Sequence, residues 1–108
     1  MYIQSNMDKL PMTPFTFDAS QKVIEKLRDR HGVTLEEVEE CFYNRTAGFL
    51  EDKRAEHKTD PPTQWFVSET DKGKILKVIF MMADKVITIK SAYEADDIAQ
   101  RIYKNEAK

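Results

Sequence analysis

Apolar positions change their period along the chain, and each change marks a new element. Residues 1–14 show no period, and Pro11 and Pro14 interrupt any regular structure, so a flexible tail is expected there. Phe15-Thr16-Phe17 alternates as a short strand does. Asp18 with Gln21 three residues on predicts a helix start, and Val23, Ile24 and Leu27 place one apolar stripe on that helix. Gly32 after His31 predicts its end. Thr34 and Glu37 then form a capping box, with Val33 available to staple against Val38. Leu35, Val38, Cys41 and Phe42 recur at helical spacing behind it. Two helices broken at 31–33 are therefore predicted.

Beyond Asn44 the period becomes that of strands. Residues 48–51 form a candidate strand, and the polar stretch 52–62 ending in Pro61-Pro62 a loop. Strands follow at 64–69, 74–82 and 86–90, with turns at 70–73 and at Ala83-Asp84. Leu76, Val78, Phe80 and Met82 face one way on the middle strand, and Ile75, Lys77, Ile79 and Met81 the other. Both sets are largely apolar, so this strand should be central. Residues 94–106 read as a closing helix whose acids suit its start and whose Arg101 and Lys104 suit its end. The fold class that results is α+β, an antiparallel sheet of about four strands with two N-terminal helices and one C-terminal helix. The helices are expected on one face of that sheet.

Composition narrows the function only by exclusion. The chain has 108 residues, 33% of them charged, and a formal net charge of −2. One domain over residues 15–108 is expected at this length. A sequence pI near 5.7 argues against a surface that is basic throughout. No apolar run is long enough to span a bilayer, and no basic-then-apolar leader opens the chain, so a cytoplasmic protein without a membrane partner is expected. Cys41 is the single cysteine, which rules out an internal disulfide and any multi-thiolate metal site. The two histidines and the acidic doublets match no ligand spacing, so neither a metal nor a cofactor is expected.

Charge is segregated along the chain. Residues 34–52 carry Glu36, Glu37, Glu39, Glu40, Glu51 and Asp52 against Arg45, whereas residues 72–90 carry Lys72, Lys74, Lys77, Lys85 and Lys90 against Asp84. A basic face for phosphates and an acidic face for a basic partner are both possible, with Glu36 and Glu40 the candidate partner contacts. Lys77 and Lys90 lie on adjacent predicted strands and would flank one phosphate if they share a sheet face; otherwise they are solvated lysines. His57, in a polar loop, is the candidate acid or base because histidine titrates near neutrality. His31 is better explained by the helix end it occupies. Tyr93 suits either a stacked base or a gap between strand and helix. Trp65, Phe66 and Phe80 are expected in the core.

Several of these pieces, in this order, resemble the BrnT family, the toxin half of bacterial type II toxin–antitoxin pairs. They are Phe15-Thr16-Phe17-Asp18, Arg30-His31-Gly32-Val33-Thr34 with Glu36-Glu37 and Phe42, and Glu51-Asp52-x-Arg54. Gly73-Lys74-x-Leu76-Lys77-Val78-x-Phe80 and Ile87-x-Ile89-Lys90-Ser91-Ala92 complete the set. The resemblance covers about residues 15–103. It implies a RelE-like fold, metal-independent endoribonuclease activity on free or ribosome-associated RNA, and neutralisation by a cognate antitoxin. It leaves a homo-oligomer open. On that reading His57, Lys77, Lys90 and Tyr93 are the candidate catalytic residues, and Arg54 and Lys74 the candidate phosphate contacts. The family usually carries arginine after Ser-Ala, where this chain has Tyr93. A non-catalytic interaction module of the same fold is the competing expectation.

Overall fold

A computed structural model describes residues 15–53 and 59–108. The predicted tail 1–14 and the loop residues Arg54 and His57 lie outside the described residues.

The first described element is β1 (Thr16–Asp18), followed by α1 (Gln21–Lys26), which runs into a π-helical turn at Leu27–His31, and then by α2 (Leu35–Asn44). Four strands follow: β2 (Leu50–Glu51), β3 (Thr63–Glu69), β4 (Ile75–Ala83) and β5 (Val86–Glu94). The last element is α3 (Asp97–Glu106). Among the described residues the sheet is five-stranded and mixed, in the order β1-β5-β4-β3-β2, which corrects the expected four antiparallel strands. β2, β3, β4 and β5 are antiparallel neighbours, but β1 runs parallel to β5, pairing Thr16 with Val86 and Asp18 with Thr88. Both helices and three strands separate β1 from β5 in sequence, and a parallel pair needs such a long crossover rather than a tight turn.

Helix boundaries follow local chemistry. Ser20, not Asp18, caps α1, accepting from the Val23 amide at 3.1 Å, because Asp18 is held in the β1 ladder. Gly32 ends the π-helical turn in the left-handed region at φ 63°, where a side chain would be strained. The capping box is present as predicted. Thr34 Oγ1 accepts from the Glu37 amide at 3.1 Å, and Glu37 Oε1 accepts from the Thr34 amide at 3.0 Å. The predicted start of α3 at residue 94 moves to 97, since Glu94 remains paired in β5 and Asp96 is the cap. The β4–β5 turn sits at Asp84 and Lys85 rather than Ala83 and Asp84. Both turn residues have positive φ, as a two-residue turn joining right-twisted strands requires.

One hydrophobic core lies between the sheet and the first two helices. Val38, Cys41 and Phe42 of α2 meet Phe66, Leu76, Val78, Phe80, Ile87 and Ile89. Phe42 sits at its centre, edge-on to Phe17, Phe66 and Phe80 at centroid distances of 5.1, 4.7 and 5.1 Å. Such offset aromatic pairs add stability beyond their buried area. The third helix does not share this face. Tyr103 of α3 reaches Trp65, which alternates with inward-facing Phe66, and donates to the Gly48 carbonyl at 2.7 Å. α3 therefore packs against β3 from the outer side of the sheet, correcting the expectation that all helices lie on one face.

The box has a consequence for acid stability. The Thr34 amide first, and then Lys74, hold the Glu37 carboxyl below the usual range. A lowered native value means that this contribution is complete above the unfolded value of about 4.5 and fades as pH falls through the native one. Glu39, raised by burial and by Glu36, acts in the opposite sense and blunts the net slope. Urea unfolding should show Thr34→Ala losing about 1 kcal/mol at pH 7. Glu37→Gln should flatten the acid limb relative to the unmodified chain; an unchanged limb would show that Glu37 contributes nothing to it.

Candidate nucleic-acid interface on the outer face of the sheet

The outer face is set by alternation. Leu76, Val78 and Phe80 are fully buried, so Lys77, Ile79 and Met81 point the other way. On β3, Trp65 and Val67 join them for the same reason. β5 is less regular. Ile79 pairs with Ser91 while Phe80 pairs with Ile89, which leaves Lys90 as an extra residue in a bulge. The inward residues are accordingly Ile87, Ile89 and Ala92, spaced by two and then by three. Without the bulge Lys90 and Tyr93, three residues apart, would point to opposite faces. With it, Lys90, Ser91 and Tyr93 all lie on the face that carries Lys77.

This produces a transverse band of cations and rings. Lys77 is paired with Tyr93 across β4 and β5, and with Val67 across β3 and β4. Its ammonium lies 4.5 Å from the centroid of Trp65, a cation–π contact that leans it toward β3 and away from β5. Tyr93 in turn meets His31, ring centroids 5.4 Å apart and planes tilted by 47°. Trp65, Lys77, Tyr93 and His31 thus cross the sheet in order. Lys90 stands exposed farther along β5.

The predicted site residues divide accordingly. Lys77, Lys90 and Tyr93 share one face, with Lys77 and Tyr93 directly opposed. Lys74 is engaged elsewhere: Nζ donates to the Gly32 carbonyl at 3.0 Å and lies 3.3 Å from Glu37 Oε2, tying the β3–β4 hairpin to the start of α2. Glu40 accepts from the Asp71 amide at 2.9 Å and so holds the same hairpin, whereas Glu36 is exposed. Phe66 and Phe80 are core residues, but Trp65 is only half-buried on the outer face. His31 is the addition that sequence reasoning missed as a site residue. No local signal links it to Tyr93, since the two meet only when the π-helical turn settles beside β5. The bulge, by contrast, has a visible trace in the apolar spacing of Ile87, Ile89 and Ala92.

Other chemistry is poorly placed. Burial first, and nearby acids next, push the Cys41 thiol up to about 12, which removes it as a nucleophile near neutrality. Among the described residues no group of three or more His, Cys, Asp or Glu side chains is positioned to hold a metal. Among them, too, no helix is long and apolar enough to cross a membrane. The chain matches no protein-family model and no curated protein.

Proposed function

We propose that the outer face binds single-stranded RNA and that the protein is a toxin-like, BrnT-type endoribonuclease that works without a divalent metal and is restrained by a cognate antitoxin. The observation that supports it is the bulge at Lys90, which gathers Lys77, Lys90, Tyr93 and, through Tyr93, His31 on one face. Cations interleaved with rings suit a flexible RNA strand, whose phosphates need charge and whose unstacked bases need aromatic partners.

The cleavage step follows from RNA itself. The ribose 2′-hydroxyl loses its proton to a base and attacks the adjacent phosphorus. The bond to the 5′-oxygen breaks, and an acid protonates that oxygen. The products are a 2′,3′-cyclic phosphate and a 5′-hydroxyl end. Lys77 and Lys90 supply positive charge for the phosphorane, where stabilisation is worth most. His31 and His57 are the candidates for the base and the acid, and Tyr93 orients the strand.

A second reading is a non-catalytic interaction module, favoured by Tyr93 standing where the resembling family has arginine. The two separate in one experiment. A fluorescent 20-nucleotide RNA incubated with the protein in EDTA should yield fragments ending in 2′,3′-cyclic phosphate. Lys77→Ala and Lys90→Ala should each weaken binding and reduce the salt slope by about 0.7. Intact RNA, intact translating ribosomes and an unchanged slope would sink the nuclease reading. Loss of partner binding on charge reversal at Glu36 would then favour the module.

A further inference from the structure

The strongest unassigned feature lies at the other edge of the sheet. β2 pairs with β3 only at Leu50 with Trp65 and Glu51 with Gln64. Among the described residues no strand lies beside β3 from Val67 to Glu69, although its other side is fully paired to β4. The parity of the ladder shows which groups face outward. The Thr63 carbonyl accepts from the Asp52 amide on the β2 side, while the Thr70 amide donates to Lys74 on the β4 side. Peptide groups alternate along a strand, so those of Val67 and Glu69 point to the open edge. Of these, the Glu69 carbonyl is taken by Asn44 Nδ2 at 2.9 Å. The Val67 amide and carbonyl and the Glu69 amide line the edge without a strand partner among the described residues.

That edge is the floor of a groove of about 970 Å³, walled by Asn44 at the end of α2 and the following Ala47 on one side and by α3 on the other. Arg101 and Lys104 line the α3 wall, and Glu69 and Asp71 the far end. Ser68, 8% exposed, also lines it, and its Oγ has no hydrogen-bond partner among the described residues. Exposed edges are normally blunted by charge, proline or a covering element. Here α3 and the end of α2 flank the edge, and no described strand fills the position between them.

The geometry points to β-strand addition: this groove takes one extended segment of a partner protein, which pairs with Val67 and Glu69 and carries an acidic side chain opposite Arg101 and Lys104. Main-chain bonds supply affinity in this mode, and alternate side chains supply selectivity. A second copy of the chain is the poorer occupant. Its own edge is flanked by the same two helices, which would meet their counterparts before the strands reached the spacing of about 4.8 Å that pairing needs. The inference is independent of the RNA reading, since it uses neither Lys77, Lys90, Tyr93 nor His31.

A phage library of random dodecapeptides panned on the full-length chain tests it. Enriched peptides should be rich in β-branched residues and contain an acidic residue. A synthetic copy of the leading peptide should slow amide hydrogen exchange at Val67 and Glu69. The Arg101→Glu and Lys104→Glu double variant, altered only on an exposed helix surface, should bind that peptide about tenfold more weakly. Val67→Pro should abolish binding if it folds. Lys90→Ala should bind normally. No enrichment, protection mapping to another surface, or protection at Val67 and Glu69 that rises with protein concentration alone would each overturn the inference, the last in favour of a self-paired edge.

Discussion

Replacing Phe42 with Ala is expected to lower the free energy of unfolding by about 3–5 kcal/mol, measured by urea denaturation at pH 7. Phe42 is 2% exposed and its ring is edge-on to four others, those of Phe17, Phe49, Phe66 and Phe80. These come from β1, the segment before β2, and strands β3 and β4, so no single element can relax inward to fill the space left. A cavity that cannot collapse sits at the costly end of the range. Because domains of this size are stable by about 5–15 kcal/mol, the variant should unfold at far lower denaturant. Tyr43→Ala, one residue on, is the control. Tyr43 is 54% exposed and, among the described aromatic rings, approaches only Phe17, at 6.4 Å, so the loss should be well below that of Phe42. Equal losses at the two positions would refute the central place assigned to Phe42.

Deleting Lys90 should leave the fold intact and cost about tenfold in RNA affinity, with the salt slope reduced by about 0.7. Lys90 is the residue by which β5 exceeds β4 at the bulge. Its removal makes Ile89 and Ser91 consecutive, which is the pairing that Phe80 and Ile79 already require, and Ala92 still points inward. Deleting Ser91 instead removes the same bulge but leaves Lys90 opposite Ile79 on the outer face. That variant should keep its RNA affinity. The pair of deletions therefore separates the charge from the backbone irregularity that presents it. If both lose affinity equally, the bulge rather than the ammonium matters. If neither does, Lys90 has no part in RNA binding.

Local physics made much of this readable in advance. Thr34 and Glu37 satisfy each other's backbone partners within one turn, so the start of α2 is written in four residues. Gly32 ends the preceding turn for an equally local reason. The apolar alternation of 75–82 identified the central strand, because a strand buried on one face and half-buried on the other must be apolar on both.

What failed depended on partners distant in the chain. Asp18 has the chemistry of a cap, but β1 claims its backbone and Ser20 takes the role. Lys74 has the chemistry of a phosphate contact, but Gly32 and Glu37, some forty residues earlier, occupy its ammonium. Trp65, expected in the core, packs against it only partly buried. Its place opposite Phe66 put it instead under Lys77, and only the packing of α3 gave Tyr103 to its other side.

The sequence by itself thus determined the elements, the central strand, the apolar set of the inner face and the segregation of charge, since each rests on contacts within a turn or a pleat. The tertiary structure decided the parallel addition of β1, the side of the sheet taken by α3, the meeting of His31 with Tyr93, and the common face of Lys77 and Lys90. Those outcomes turn on which strand lies beside which and on one unpaired residue in a ladder. A single shift in register reverses the direction of every side chain beyond it, and only long-range pairing energy selects the register.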